Sequence, residues 1–181
     1  MIDLALRPDP SRCAPGHRPY LDRVPAGDLL THLEDQLEAF VALLGDRDEA
    51  LGSLRYAEDK WSVRQVLGHV MDAERIFTYR LLCIARGETQ ALPGFDEAAY
   101  AAAGGFDDRP LEALLDEFGA LRSHTLAFLQ GLPESALARE GTANGRTVSG
   151  ALLACLIHGH AQHHLEVLRT RYLGAGSQPL G

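Results

Sequence analysis

Four of the eight histidines of this 181-residue chain lie close together, at His158, His160, His163 and His164. Imidazole is the commonest protein ligand for transition metals and also a general acid or base near neutral pH. Side chains four residues apart lie one turn apart on the same side of a helix, so the imidazoles of His160 and His164 can converge on one ion. The cluster predicts metal chemistry if the segment is helical and the pair faces the interior.

Helical geometry separates these four histidines. At about 100° per residue, His160 and His164 lie in the middle of an apolar stripe, His163 lies at its edge and His158 faces away. A hydrogen-bonded pair of core histidines is the alternative interpretation. Two buried imidazoles need partners for all their ring nitrogens, however, and each unpaired buried polar group costs about 1–3 kcal/mol. A shared metal satisfies two acceptor nitrogens at once.

His69 is the third candidate ligand, because it lies on the flank of the apolar face of another predicted helix. Cysteine ligands are not expected. Cys83 lies about 21 Å along the helix from His69, and Cys155 faces away from His160. We expect the remaining histidines to be solvent-exposed: His17, His32, His124 and His158.

Four long amphipathic helices are needed to position these candidates. Apolar residues recur at three- and four-residue steps in four segments, which is the spacing of one buried helix face. The segments begin near Pro25, Ser62, Pro110 and Thr147 or Ser149, and end near Leu44, Gly87, Gly131 and Tyr172. Ser62 followed by Gln65 has the form of a capping box at a helix start. No segment alternates as a strand does, so we predict an all-α four-helix bundle.

The segments between the helices are uneven in length. Residues 88–109, between helices 2 and 3, are too many for a tight hairpin and predict a long crossover connection that spans the bundle. A short helix is expected within it at 96–103. The proline-rich residues 1–24 predict an irregular N-terminal leader across the body of the protein, followed by one bundle domain at 25–173 and a C-terminal tail at 174–181.

Composition excludes several classes of partner. The net charge of −8 disfavours nucleic acids and anionic membranes, which bind basic surfaces. No apolar run approaches the ~20 residues that cross a bilayer, and the first residues do not resemble a signal peptide. The three cysteines form no CxxC pair, which suits a reducing compartment. We therefore expect a cytoplasmic protein that binds neither membrane nor nucleic acid.

Three stretches of the sequence resemble the DinB-like (DinB/YfiT) superfamily. The first runs from Lys60-Trp61-Ser62-Val63 to Gly68-His69, the second is Leu92-Pro93-Gly94-Phe95-Asp96, and the third is Gly159-His160-Ala161-Gln162-His163-His164-Leu165. The resemblance covers roughly residues 25 to 173 in the right order. Its specificity comes from this ordered set, with one histidine early in helix 2 and HxxxH in helix 4.

The resemblance implies a four-helix bundle with a long connection between helices 2 and 3. It also implies a three-histidine metal site, which falls here on His69, His160 and His164. Members of the family look like metal-dependent enzymes, and several are transferases that use low-molecular-weight thiols such as bacillithiol or mycothiol. Many are dimers, so the resemblance further implies a homodimer with a small-molecule substrate.

One residue constrains the reaction. The HxxxH frame of zinc peptidases has a glutamate after the first histidine as general base, but this chain has Ala161 there, so peptidase activity is not expected. Members of the family often carry an acidic residue at this place. The nearest candidates for a base, or for orienting an imidazole, are Asp72 and Glu74, although both also fit a solvated charged helix face. Arg80 and Arg171 either hold an anionic substrate or cap the rim of the bundle.

Two functions remain open from the sequence. The first is a metal-dependent enzyme whose mononuclear site activates water or a small thiol, of the hydrolase or thiol-transferase type. Zinc or nickel is the expected metal, with manganese, iron or cobalt as alternatives. The second is a non-catalytic metal-binding or stress-associated bundle that acts through its dimer interface or surface.

Overall fold

The computed structural model describes residues 8–174, so the first seven residues of the predicted leader and residues 175–181 of the predicted tail lie outside the described residues. The α-helices are α1 (Arg18–Leu21), α2 (Leu29–Leu44), α3 (Glu49–Gly52), α4 (Val63–Ala85), α5 (Glu97–Ala103), α6 (Leu111–Gln130), α7 (Glu134–Leu137) and α8 (Gly150–Val167). Two short 3₁₀ turns lie at Pro10–Arg12 and Phe106–Asp108, and a π-helical turn, Leu168–Tyr172, extends α8. The strands are β1 (Glu140–Ala143) and β2 (Arg146–Ser149).

The helices α2, α4, α6 and α8 form the predicted four-helix bundle. α4 packs mainly against α8, and α2 contacts both α6 and α8. The beginning of α2 and the end of α4 share one apolar core cluster, whereas the end of α2 and the beginning of α4 share another. α2 and α8 therefore run one way along the bundle, and α4 and α6 run the other way.

The polar caps fix where the bundle helices begin. The capping box predicted for α4 is present, with the Ser62 hydroxyl accepting from the N–H of Gln65 and the Gln65 side chain accepting from the N–H of Ser62. Ser149 caps α8 in the same way through the N–H of Leu152. The start of α2 near Pro25 was predicted too early, because the chain stays extended through Asp28 (φ −78°, ψ 117°).

Residues 88–109 form the predicted crossover. The connection leaves the end of α4, where Leu92 pairs with the hairpin residue Ala143. It returns to the beginning of α4, where the ring of Phe106 packs against Gly68. Within it, α5 begins after Asp96, whose carboxylate accepts from two backbone N–H groups of the first turn. The parallel run of α4 and α6 is the reason why the connection must span the bundle.

A β-hairpin corrects the prediction that the chain contains no strand. β1 and β2 pair antiparallel around a turn at Asn144 and Gly145, which both have positive φ (50° and 69°). Asn-Gly is the strongest two-residue signal for this turn because both residues tolerate the left-handed conformation. The strands have four residues each, which is too short for the alternation of a strand to stand out.

The described part of the leader, residues 8–24, is less irregular than predicted. It forms a 3₁₀ turn and α1, and α1 packs against α8. At this crossing Gly159 faces the backbone of Tyr20 so closely that a Cβ atom would overlap with the Tyr20 carbonyl. The absence of a side chain at Gly159 therefore lets the leader lie directly on the helix that carries His160 and His164.

Candidate metal centre

His69, His160 and His164 converge in the structure as the sequence predicts. One ring nitrogen of each lies within 4.8 Å of those of the other two. The Nε2 atoms of His69 and His160 are 3.0 Å apart and share a hydrogen bond. The ring centroid of His164 lies 4.8 Å from that of His69 and 4.6 Å from that of His160. The three rings thus meet edge to face around one point.

The packing of α4 against α8 creates this convergence. The capping box sets the first residue of α4 and therefore the height of His69, two turns into the helix. The antiparallel α8 then brings His160 and His164 alongside it. Since these two histidines are four residues apart, their side chains project one above the other toward α4.

Burial keeps all three imidazoles neutral at pH 7. Burial, together with a smaller effect of the neighbouring histidines, lowers the pKa of His69 to about 4 and that of His160 to about 3. Burial also lowers the pKa of His164 well below its ordinary value, with His160 and His69 adding to the effect. A neutral imidazole has one unprotonated nitrogen, which is the form that coordinates a metal.

The donor set fits a divalent transition-metal ion. A tetrahedral ion about 2.0–2.1 Å from each nitrogen needs nitrogens roughly 3.3 Å apart, a spacing that lies within the range of 3.0 to 4.8 Å found among the three histidines. Three neutral ligands leave the full charge of the ion and at least one coordination position for another molecule. Within residues 8–174 this is the one group of histidine, cysteine and carboxylate side chains that meets such a distance criterion.

Aromatic side chains enclose the trio. The Trp61 ring lies 4.7 Å from the His69 ring. Tyr20 of the leader and Phe77 of α4 contact His160, with centroids 5.4 and 5.8 Å away. Sequence reasoning did not assign Tyr20 or Trp61 to the site. Tyr20 lies in a segment with no periodicity, and Trp61 precedes the helix, so helical angles give no position for either.

A cavity of about 340 Å³ adjoins the trio and is called here the His164 cavity. His163 and His164 line it from α8. His163, predicted as a possible neighbour of the site, packs beside His164 at a centroid distance of 5.0 Å and is half-buried. Burial lowers its pKa, and the nearby Arg23 lowers it further. His69 and His160 are therefore buried, while the half-buried His164 borders space for a small molecule.

Neither carboxylate candidate is a free base. Glu74 is fully buried and ion-paired with Arg122 at 2.9 Å, with side-chain exposures of 1% and 0%, so its interpretation as part of a solvated face is wrong. Asp72 is half-buried and bonds Arg75 at 3.4 Å. Burial raises the pKa of Asp72, while Arg75 lowers it.

The two arginine candidates have separate places. Arg80 is buried and donates to the carbonyl of Pro93 at 2.7 Å, so it anchors the crossover. Its guanidinium lies 5.8 Å from the Phe95 ring centroid. Arg171 is exposed on the π-helical turn. Arg80 thus belongs to the packing of the connection.

The prediction that His158 is exposed is wrong. Its exposed fraction is 4%, because α8 is buried all round between Leu152 and Ala161. α2 covers the side that the apolar stripe leaves out, and Gln36 donates to the His158 carbonyl at 3.0 Å. His17 and His32 are half-buried, and His124 is exposed as predicted.

The larger cavity of about 470 Å³ lies elsewhere, between the leader, α2 and the opposite side of α8. His32 and His158 line it, but none of the three converging histidines does. Volume alone therefore does not locate the chemistry, and the smaller His164 cavity is the one that adjoins the candidate ligands. None of the helices in residues 8–174 combines the length and apolarity that a membrane span requires.

Comparison with known proteins agrees with this geometry. A family model of the DinB superfamily matches residues 32–168. The fold is similar to a solved structure of YfiT from Bacillus subtilis, described as a probable metal-dependent hydrolase with an unusual four-helix bundle topology. The TM-score is 0.70 at 20% sequence identity, over 78% of this chain and 84% of that one. No curated protein matches the sequence.

Proposed function

The chain belongs to the DinB superfamily, and from that premise we propose that it is a metal-dependent enzyme in which His69, His160 and His164 hold one divalent ion. The observation that carries the proposal is the meeting of three neutral imidazoles, two of them buried and the third half-buried, within 4.8 Å. Zinc or nickel suits three nitrogen ligands, and manganese, iron and cobalt are alternatives. A bound ion of this kind makes water or a thiol more acidic and so supplies a nucleophile near neutral pH.

The residues around the trio perform the other tasks of such an enzyme. Trp61, Tyr20 and Phe77 exclude water from the ligand rings. The His164 cavity holds a small substrate beside them. We propose hydrolysis or thiol transfer as the reaction, since both begin with an activated oxygen or sulfur nucleophile. The description of the similar YfiT structure as a probable metal-dependent hydrolase favours hydrolysis.

Elemental analysis of purified protein tests the metal site. We expect about one equivalent of transition metal per chain in the wild type and less than about a tenth of that in His164→Ala, since one of three ligands is lost. His124→Ala, which removes an exposed histidine of α6, is the matched control and keeps the metal. Absence of metal from the wild type, or equal metal in His164→Ala, contradicts the proposal.

A reaction screen on the metal-loaded protein tests catalysis. Small esters and amides probe hydrolysis, and a small thiol with an electrophilic acceptor probes transfer. Asp72→Asn is expected to retain activity, because Asp72 is paired with Arg75, whereas His164→Ala is expected to lose it. Turnover that is equal in the wild type and His164→Ala contradicts the enzyme assignment.

The pairing of both nearby carboxylates favours a second candidate function. Glu74 is committed to Arg122 and Asp72 to Arg75, and Ala161 supplies no carboxylate after His160. A non-catalytic metal-binding bundle that acts through its surface or a dimer interface fits these pairings. One equivalent of metal without turnover in either screen would support this candidate. The homodimer implied by the family resemblance stays a prediction, which light scattering on the purified protein tests.

A further inference from the structure

The His164 cavity has charged lining residues besides its histidines. Lys60 and Asp59 line it from the loop that precedes α4. Lys60 is the only lysine among the 17 lysine and arginine residues of the chain. Neither Lys60 nor Asp59 has a part in the candidate metal centre, although Lys60 begins the first stretch that resembles the DinB-like superfamily.

The pairing of Lys60 with Asp59 is easily exchanged. The two side chains are 3.0 Å apart, with Lys60 43% exposed and Asp59 78% exposed. The hydrogen bond that the ammonium donates to Asp59 raises the pKa of Lys60, so the ammonium stays charged at neutral pH. Exposed ion pairs contribute little free energy. An anion in the cavity can therefore replace Asp59 as the partner of Lys60.

The backbone around Lys60 is held in place. Arg55 donates to the Lys60 carbonyl at 2.7 Å, and the Tyr172 hydroxyl donates to the Trp61 carbonyl at 2.6 Å. The Trp61 ring in turn packs on His69. The base of the Lys60 side chain thus has a fixed position relative to the three histidines, while its ammonium group can move to a ligand.

The cavity also has aromatic lining residues and is small. The rings of Tyr56 and Tyr172 meet at a centroid distance of 5.0 Å and both line it. Its volume of about 340 Å³ lies at the small end of ligand pockets, which span roughly 300–1,000 Å³. We propose that the His164 cavity binds a small organic anion as substrate and that Lys60 binds its negative charge. The proposal rests on the proposed metal-dependent function and names its substrate class.

The net charge of the chain is −8, and an acidic surface repels anions within the Debye length of about 8 Å at physiological salt. Attraction of an anion is therefore expected only close to a positive group, such as the Lys60 ammonium at the cavity. The anionic end of the substrate lies at Lys60, its apolar body lies against Tyr56 and Tyr172, and its reacting group faces His164.

Calorimetry on cobalt-loaded protein tests the proposal with matched probes. The probes are 3-mercaptopropionate, its neutral amide and 2-mercaptoethanesulfonate. We expect the carboxylate to bind about three- to fivefold more tightly than the amide at low salt, as for a partly exposed ion pair. Lys60→Met removes this preference, Lys60→Arg retains it, and Asp59→Asn retains or increases it. The sulfonate distinguishes recognition of charge in general from recognition of a carboxylate.

The two proposals fail in different ways. A bound metal also attracts anions, so a preference that is unchanged in Lys60→Met belongs to the metal and overturns the role of Lys60. Equal affinity of the wild type for acid and amide overturns it as well. Failure to bind cobalt contradicts the metal site instead, and propionate against propionamide on the metal-free protein then tests Lys60 alone.

Discussion

Two buried polar clusters lie inside this bundle, and they differ in how their hydrogen-bonding groups are matched. In the arginine cluster, Arg122 donates to both carboxylate oxygens of Glu74, to the Gln36 side chain and to the Leu33 carbonyl. In the histidine cluster, His69 and His160 share one hydrogen bond between like groups. The arginine cluster is a closed set of charges and partners, whereas the histidine cluster is a set of neutral imidazoles without a counter-charge.

This difference indicates what each cluster does. A fully paired ion pair inside a core fixes the packing of its helices, and here it joins α2, α4 and α6. Burial without a charged partner keeps the histidines neutral and leaves nitrogen lone pairs for an ion. Burial is common to both clusters, so the presence or absence of a counter-charge decides between a structural role and a binding role.

Breaking the arginine cluster is expected to have the largest effect. Arg122→Met leaves the Glu74 carboxylate buried without its counter-charge, which costs about 3–5 kcal/mol of unfolding free energy. Urea denaturation measures the loss. The double variant Arg122→Met/Glu74→Leu recovers most of it, because an apolar pair of similar volume replaces the ion pair.

Arg75→Met is the matched control for this prediction. Arg75 pairs with Asp72 and Glu117 at partly exposed positions, so its loss costs less than about 1 kcal/mol. Equal destabilisation by Arg122→Met and Arg75→Met would show that the burial of the first pair has no energetic consequence.

Filling the histidine cluster is expected to have the next largest effect. Zinc at a hundredfold excess over its dissociation constant adds about 2.7 kcal/mol to the unfolding free energy, because it binds the folded state alone. His160→Ala is expected to lose this gain, and the Arg122→Met/Glu74→Leu variant to keep it. Urea denaturation with zinc and with chelator measures both, and the same zinc effect in His160→Ala would refute the separation of the two clusters.

Lowering the pH is expected to destabilise both clusters in the metal-free protein, and the loss of unfolding free energy for each histidine is smaller than the effects above. Burial lowers the pKa of His69, in the histidine cluster, and of His158, beside the arginine cluster, to about 4. Between about pH 6.5 and 4 the unfolded chain binds protons that the folded protein does not. The free energy of unfolding therefore decreases as the pH is lowered through this range. At pH 5.5 the loss is about 1.4 kcal/mol for each histidine.

Urea denaturation at pH 7.5 and 5.5, in the presence of chelator, measures this dependence. His158→Gln removes one of the histidines whose pKa is lowered by burial, so its loss of stability between these pH values is smaller than that of the wild type by about 1.4 kcal/mol. An identical pH dependence in the two proteins would mean that His158 titrates normally despite its burial.

Much of the fold follows from local signals in the sequence. The period of the apolar residues locates α2, α4, α6 and α8, and Ser62 and Asp96 mark helix starts through their own side chains. The spacing of His160 and His164 places them one turn apart before any tertiary contact is known. The Asn144-Gly145 turn was also present in the sequence, but its strands are too short for periodicity to identify them.

The misassigned residues show where such signals stop. The burial of His158 and Glu74 comes from neighbours distant in the chain, Gln36 and Arg122. A helical angle measures only the distance from the main apolar stripe, and α8 is covered on its other side as well. Polar residues off the stripe therefore look solvated in the sequence although the fold buries them.

The sequence by itself determined the helices, their caps and the types of side chain that can bind a metal, because these depend on residues within a few turns of one another. Only the tertiary structure decided which candidates meet. The antiparallel packing of α4 on α8 brings His69 to His160 and His164, and the pairing of Glu74 with Arg122 commits that carboxylate to the core. The placement of Lys60 and His164 on the same cavity was decided in the same way, since these two residues are more than a hundred residues apart in the chain.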